Sequence, residues 1–347
     1  MNFAIDRRGF VKAAASLAVA AGIGLGRNTI NSGNDDSHDR DGYYRGPIKV
    51  ACSSYCFNKI MLEQLKGGPD DMDLMKLLDW CADPAHKFDT LDATGYYFPP
   101  GNFMGQPFTM PAESYLKAFK RKSDDLGIPI SGTGISNDFA NPDPALRAAD
   151  VENFRRWIHV AKAIDAPVIR VFSGAVPVGY ENRWSEVAAW MVDSLRQCAD
   201  YAEDAGIKVS LQNHGDMLAT SDQFIQVLKM IDNPHGLGAD DDTGYFMDTK
   251  PDGSPDWYGA IARILPYSIS AQIKSCLVPV KHHTPLPSER TDVTKLMTII
   301  RKSPFRRPLP IEVLEEFKTP YDPFTVTPQF LQKVQQAIEE TAELRFP

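Results

Sequence analysis

Polar side chains stand at the ends of four consecutive predicted strands in the second half of the chain. The segments are SLQNHGD from Ser210, GADDDTGYF from Gly238, SAQIKS from Ser270 and PIEVLEE from Pro310. Side chains alternate between the two faces of a strand, so residues two apart lie on the same face. This parity joins the following residues: Gln212 with His214, Asp240 with Asp242, Gln272 with Lys274, and Glu312 with Leu314.

Four neighbouring strands that each end in an oxygen or nitrogen ligand predict a site for a hard divalent ion. Such an ion, bound to sugar oxygens, would act as a Lewis acid and stabilise an enediolate when a base removes the proton next to a carbonyl. Lys274 would either stabilise the developing oxyanion or form an ion pair with a neighbouring acid. The residue types leave these two roles open.

Earlier strand ends supply aromatic and polar groups that suit a pyranose, which has apolar CH faces and a rim of hydroxyls. The predicted substrate contacts are Tyr96, Tyr97, Asn137, Asp138 and Arg170. In the alternative interpretation, Tyr96 and Phe139 only cover the mouth of the fold.

The elements that must position these residues recur along the chain. Eight β-rich runs, each followed by a helical pattern, begin at Ile48, Phe88, Ile128, Pro167, Ile207, Gly236, Ser268 and Leu309. A repeat of about 37 residues suits a strand, a helix and two loops. The pattern predicts a single closed (β/α)8 barrel, whose sites gather at the carboxyl ends of the strands. The alternative, a two-domain dinucleotide-binding architecture, lacks a G-x-G-x-x-G that follows a strand and opens a helix.

Several helix starts are visible as well. Predicted first residues or caps are Pro111, Asp143 with Pro144, Ser185, Thr220 or Ser221, and Asp292, and Gly206 is predicted to end one helix.

The amino terminus predicts export. Arg7 and Arg8 precede a small, apolar stretch that ends near Gly26, a pattern typical of a twin-arginine signal peptide. Residues 1–26 are interpreted as this signal, 27–46 as a polar linker and 47–347 as the barrel. The stretch is too short and too weakly apolar for a stable membrane anchor. We therefore expect a periplasmic or secreted protein.

Composition excludes several classes of protein. The 347 residues are 43% hydrophobic and carry a net charge of −8, which argues against a partner as acidic as nucleic acid and favours a small carbohydrate. The five cysteines show no zinc-binding or disulfide pattern, and most of them are expected to be core thiols. No sequence feature marks a subunit interface, so the oligomeric state is left open.

Over residues 47–345 the chain resembles the sugar phosphate isomerase/epimerase superfamily, the xylose isomerase-like barrels that include ketose 3-epimerases and inosose dehydratases. The four strand-end segments above carry this resemblance. It implies one divalent ion held by Glu, Asp, His and Glu on strands 5 to 8. The matching positions are Gln212, Asp242, Gln272 and Glu312.

Two of these four positions depart from the family pattern. Gln212 removes one of the two carboxylates that paired acid and base catalysis requires, which puts two-base epimerisation in doubt. Gln272 in place of His shifts the metal preference towards Mg²⁺ or Mn²⁺.

The resemblance and the residues together predict a metal-assisted carbohydrate isomerase or epimerase. Glu312 or His214 would move the proton and Lys274 would stabilise the enediolate. Two alternatives stay open: a lyase or hydratase acting on oxidised (3-keto) sugars, and a barrel that binds sugar without catalysis because its metal site is degenerate.

Overall fold

The computed structural model describes residues 46–68, 71–102, 108–214, 216–277, 289–314 and 321–343. The predicted signal peptide and all but the last residue of the predicted linker lie outside this part of the chain. Within the described residues, no helix is long and apolar enough to cross a membrane.

Eight parallel strands close into a barrel, as the repeat predicts. The strands are β1 Val50–Ser53, β2 Thr90–Thr94, β3 Ile130–Gly134, β4 Val168–Phe172, β5 Lys208–Gln212, β6 Leu237–Asp242, β7 Ser268–Lys274 and β8 Leu309–Glu312. Each strand pairs with its neighbours in chain order, and β1 closes the barrel on β8 with Val50 opposite Leu309. A short antiparallel pair, Cys276–Leu277 with Glu289–Arg290, follows β7. The topology confirms the predicted TIM barrel.

Helices pack around the barrel. The α-helices among the described residues are Asn58–Leu65, Leu74–Ala82, Glu113–Leu126, Pro144–Ala163, Trp184–Ala205, Ser221–Ile231, Trp257–Ile264, Val293–Lys302 and Pro323–Glu343. Single 3-10 turns occupy Ser54–Phe57, Gly95–Tyr97, Asp216–Leu218 and Leu265–Tyr267. Their buried faces and the strands form one continuous core, and all five cysteines are free thiols buried within the fold, as expected.

Local side-chain chemistry sets several helix starts. The Asp143 carboxylate accepts the Ala145 N–H, with Pro144 as the first helical residue. Thr220 and Gln223 form a capping box, and the Asp292 side chain accepts the Lys295 N–H. These contacts satisfy amide groups that the first helical turn leaves without partners.

One predicted cap is corrected. The helix expected to begin after Ser185 begins one residue before it, at Trp184, so Ser185 lies inside the first turn. The Trp184 indole N–H donates to the Met217 carbonyl at 2.8 Å. This contact anchors the start of the helix to the segment that follows β5.

Two asparagines tie neighbouring strand ends together, each through a pair of hydrogen bonds to the backbone of the next strand, which we call a strand clamp. Asn137, just beyond β3, accepts the Phe172 N–H at 2.9 Å and donates to the Phe172 carbonyl at 2.8 Å. Asn213, just beyond β5, makes the same pair of hydrogen bonds with the backbone of Asp242, at 2.8 and 3.1 Å. Each amide replaces a missing ladder contact and fixes the end of the following strand.

Asp241 is a buried carboxyl on the outer side of β6. Strand alternation turns it away from the face that Asp240 and Asp242 share. It is fully buried, and within the described part of the chain neither of its carboxyl oxygens has a hydrogen-bond partner. Burial raises its pKa well above the ordinary value, and the nearby acids Asp240 and Asp242 raise it further. The folded state therefore holds this carboxyl protonated at a pH where the unfolded chain ionises it.

We expect Asp241→Asn to become more favourable relative to the wild type as pH rises. Folding raises the pKa of this acid, so the free energy of unfolding of the wild type falls as pH rises above the pKa of the unfolded chain. The fall is up to about 1.4 kcal/mol per pH unit while the carboxyl stays protonated in the folded state. An amide has no such loss. The free energy of unfolding, measured by urea denaturation at pH 5 to 8, should show the difference between the two proteins growing with pH. A difference that does not change with pH would contradict the assignment.

The matched control is Asp193→Asn, on an exposed helix face. It should change the free energy of unfolding by less than about 0.5 kcal/mol.

Candidate active site

A cleft opens at the carboxyl ends of the strands. Its side chains border about 320 Å³ of space, a volume that includes open solvent. The lining residues are Tyr55, Thr94, Tyr96, Arg170, Phe172, Gln212, His214, Tyr245, Gln272, Lys274 and Glu312. A larger open depression lies over helix Ser221–Ile231, but one helix surface lines it and no strand end reaches it. The chemistry predicted from the strand ends therefore belongs to the cleft.

A buried ion cluster forms the base of the cleft. The Lys274 ammonium lies 3.2 Å from a carboxylate oxygen of Asp242 and forms a second ion pair with Glu312. It also donates to the Gln272 side-chain oxygen at 3.2 Å. The three charged groups are at most 4% exposed. Of the two roles that the sequence left open for Lys274, the ion pair is present in the structure.

Gln212 completes this cluster. Its side-chain amide donates to the same Asp242 oxygen that faces Lys274 and lies 3.4 Å from the Gln272 oxygen. The side chains at the four expected ligand positions therefore converge, and the ammonium contacts three of them.

Burial and charge act against each other in the cluster. Burial alone would lower the pKa of Lys274, but the carboxylates of Asp242 and Glu312 outweigh it and hold that pKa well above its ordinary value. Burial raises the pKa of Asp242 to about 6, with Glu312 adding to the rise and the Lys274 charge opposing it. Below it on the same strand face, burial and the neighbouring acids Asp242 and Asp92 raise the pKa of Asp240 to about 8. At neutral pH the lysine is therefore the positive charge of this cluster.

One wall of the cleft is aromatic. The Arg170 guanidinium lies 4.0 Å from the centre of the Phe172 ring and donates to the Tyr96 hydroxyl at 3.3 Å. On the other side, the exposed His214 ring lies between Phe172 and Tyr245, with ring centres 4.8 and 4.5 Å away. Flat aromatic surface beside hydrogen-bonding groups suits the ring of a sugar.

Three predicted substrate contacts do not line the cleft. Tyr97 is buried and its hydroxyl donates to Asn58 at 2.9 Å. Asn137 is the strand clamp described above. Asp138 accepts the Ala140 N–H at 3.1 Å and lies beside Asp150, whose carboxylate accepts the Asp138 N–H. Strand-end position alone does not separate a residue that faces the cleft from one that ties two strands together.

Three aromatic lining residues were missed. Tyr55 lies in the 3-10 turn directly after β1, Phe172 is the last residue of β4, and Tyr245 lies in the segment GADDDTGYF that the sequence singled out. Each lies at a strand end or within three residues after it, and that position was the available signal.

The residues at the expected metal position do not fit a divalent ion. Across the described ranges, no group of three His, Cys, Asp or Glu side chains could hold a metal. Two of the four side chains are neutral amides, and the Gln212 amide turns a donor, not an acceptor, towards the cluster. A positive ammonium already contacts Asp242, Gln272 and Glu312. A cation added among these groups would meet like charge at contact distance.

We expect Lys274→Met to destabilise the fold. The change leaves two buried carboxylates without their counter-ion, which costs about 3–5 kcal/mol when one partner of a buried pair is removed. Urea denaturation at pH 7 measures the free energy of unfolding. Lys122→Met, which removes a partly exposed ion pair with Asp79, is the control and should cost less than about 1 kcal/mol. Equal losses in the two variants would show that the Lys274 cluster does not stabilise the fold.

Known proteins resemble this chain over much of the barrel. A family model for the xylose isomerase-like TIM barrel matches residues 89–334. An uncharacterized protein of Methanocaldococcus jannaschii, MJ1311, is 30% identical over 110 residues, which is 30% of this chain and 37% of that relative.

Solved structures share the fold at low identity. The 3-keto-D-glucoside 4-epimerase of E. coli has a TM-score of 0.60 at 13% identity, over 84% of this chain and all of that one. A xylose isomerase-like TIM barrel protein of Mycobacterium smegmatis, solved in complex with magnesium, has a TM-score of 0.57 at 16% identity, over 86% of this chain and 99% of that one. Because the family model covers more than half of its length, the chain belongs to the xylose isomerase-like TIM barrel family.

Proposed function

We propose that this protein is a carbohydrate isomerase or epimerase that moves a proton at the carbon next to a sugar carbonyl. The observation that carries the proposal is the pairing of a carboxylate and an ammonium at the base of the cleft. Glu312 and Lys274 contact each other there, and both line the cleft. A base beside a fixed positive charge is the arrangement that enolate chemistry requires.

In the proposed reaction, Glu312 takes the proton from the carbon next to the carbonyl. The electron pair of the broken C–H bond forms the enediolate, whose oxygen accepts a hydrogen bond from the Lys274 ammonium. Transfer of the hydroxyl proton to the former carbonyl oxygen, and return of the first proton to the former carbonyl carbon, give the isomer. Return to the opposite face of the same carbon, from an acid such as His214, gives the epimer. Atoms and charge balance without an external oxidant.

The divalent ion predicted from the sequence enters no step of this scheme. Gln212, Asp242, Gln272 and Glu312 would hold it, and it would supply Lewis acid assistance. Their arrangement around Lys274 does not fit a metal, although one protein of the same fold was solved with magnesium. These contacts of Lys274 give no support to the predicted Mn²⁺ or Mg²⁺ at this position.

Elimination or hydration of a 3-keto sugar is the second candidate. Elimination needs only one base and one acid. In this chain Gln212 stands where the family pattern has one of its two paired carboxylates, so Glu312 is the one of that pair that is left to act as a base. An E. coli protein of this fold acts on a 3-keto-D-glucoside. A barrel that binds sugar without catalysis is the third possibility.

We also propose export to the periplasm or the medium. This proposal rests on Arg7 and Arg8 and the apolar stretch after them. It agrees with a free or glycosidic carbohydrate as the small-molecule substrate.

Deuterium exchange tests the proposed function. The protein is incubated in D₂O with a panel of ketohexoses and 3-keto glucosides, and proton NMR follows each carbon-bound hydrogen. We expect deuterium to enter at the carbon next to the carbonyl of at least one sugar. Glu312→Gln should slow this exchange by at least about 100-fold, because the base is lost.

The control is Glu63→Gln, on an exposed helix, which should exchange at the wild-type rate. Exchange at that same rate by Glu312→Gln would remove Glu312 from the mechanism. Binding of a sugar without any exchange would favour the non-catalytic barrel.

A further inference from the structure

The Lys274 ammonium lies at the point where the four expected metal ligands converge. It contacts a carboxylate oxygen of Asp242, the amide oxygen of Gln272 and a carboxylate oxygen of Glu312. We propose that this ammonium takes the place of the divalent cation, so that the barrel carries its own covalently attached cation and binds no metal at this position.

The segment after β6 is shaped around this lysine. Asp242 supplies a counter-charge, and the Thr243 hydroxyl accepts the Lys274 backbone N–H at 2.9 Å. A Cβ at Gly244 would lie 2.7 Å from Cγ of Lys274, closer than side-chain atoms tolerate, so glycine leaves the room that the lysine stem needs. The Tyr245 ring centre lies 5.3 Å from the ammonium nitrogen, within cation–π range. Residues 242–245 therefore hold the backbone and the side chain of Lys274 in place.

The two glutamines fit a site that contains a lysine. Asp242 and Glu312 together carry two negative charges, and the ammonium already balances one of them. A divalent ion would bring three positive charges against two negative ones within one buried cluster. One ammonium leaves no need for a further negative charge beyond the two carboxylates, and the side chains at positions 212 and 272 are accordingly neutral. Gln212 also donates a hydrogen bond to Asp242, which an ionised glutamate could not do.

The lysine has little room to move aside for a metal ion. Its side chain is 2% exposed, and Gly244 and Tyr245 border the stem and the head. Of the three contacts that the ammonium makes, the hydrogen bond to the Gln272 oxygen is the weakest electrostatically, because that oxygen belongs to a neutral amide. A substrate oxygen, carbonyl or carboxylate, would replace that contact and meet the ammonium directly.

Manganese binding tests the replacement. The full chain is treated with chelator and desalted, Mn²⁺ is titrated in, and the EPR signal of the free ion reports binding. We expect the wild type to bind no stoichiometric Mn²⁺ up to about 1 mM, a range in which carboxylate sites for hard cations fill. Q212E/Q272H, which restores the family's ligand types but keeps Lys274, should bind weakly. Q212E/Q272H/K274A should bind at least about 100-fold more tightly than that double variant.

Two results would overturn the proposal. One is stoichiometric binding of Mn²⁺ by the wild type at any concentration up to about 1 mM, a range in which carboxylate sites for hard cations fill. The other is a triple variant that folds, as judged by circular dichroism, but binds no more tightly than the double variant.

A single substitution covers the case in which the triple variant does not fold. Lys274→Ala leaves the other side chains unchanged, and Mn²⁺ should raise its melting temperature but not that of the wild type, because only a ligand that binds the folded state stabilises it. Equal responses of the two proteins would contradict the proposal. These measurements use no sugar, so their outcome is independent of the deuterium exchange that tests the proposed function.

Discussion

The buried contact of Lys274 with Asp242 and Glu312 is the interaction on which the rest of the site depends. It joins three neighbouring strands, β6, β7 and β8, at the point where they meet the cleft. Charges removed from water are costly unless each has a partner at close range. Once Lys274 is present, both carboxylates must lie against it, and the amides of Gln212 and Gln272 complete the hydrogen bonds. The arrangement couples folding to the layout of the proposed catalytic groups.

The remainder of the barrel mouth supports this cluster. Asn213 ties β5 to the backbone of Asp242, so the carboxylate that faces the lysine stands on a fixed strand end. Opposite it, Arg170 and the Tyr96 hydroxyl form a polar edge beside the Phe172 ring. The cleft therefore has a charged base and an aromatic wall. A ligand with a polar rim and apolar faces fits both, which is the reason for proposing a carbohydrate.

Much of the fold follows from local patterns in the sequence. The eight strands lie within the predicted runs, and Asp143, Thr220 and Asp292 cap helices because short polar side chains satisfy free amide groups. Strand parity narrowed each strand end to two candidate residues, and the family resemblance then selected residues 212, 242, 272 and 312, whose side chains converge in the structure. Neither was sufficient to show what fills the space between them. That depends on the reach of the Lys274 side chain and on the room beside Gly244, which are properties of packing across strands. The strand clamp made by Asn137 was missed for the same reason, since its partner lies on the next strand.

The central claim concerns the position of one nitrogen atom, and a crystal structure grown in the presence of Mn²⁺ tests it most directly. Diffraction data collected at the manganese absorption edge distinguish a metal ion from an ammonium group. The account predicts the Lys274 nitrogen within hydrogen-bond distance of Asp242, Gln272 and Glu312, with no anomalous peak between them. An anomalous peak at that point, with the lysine turned away, would contradict it.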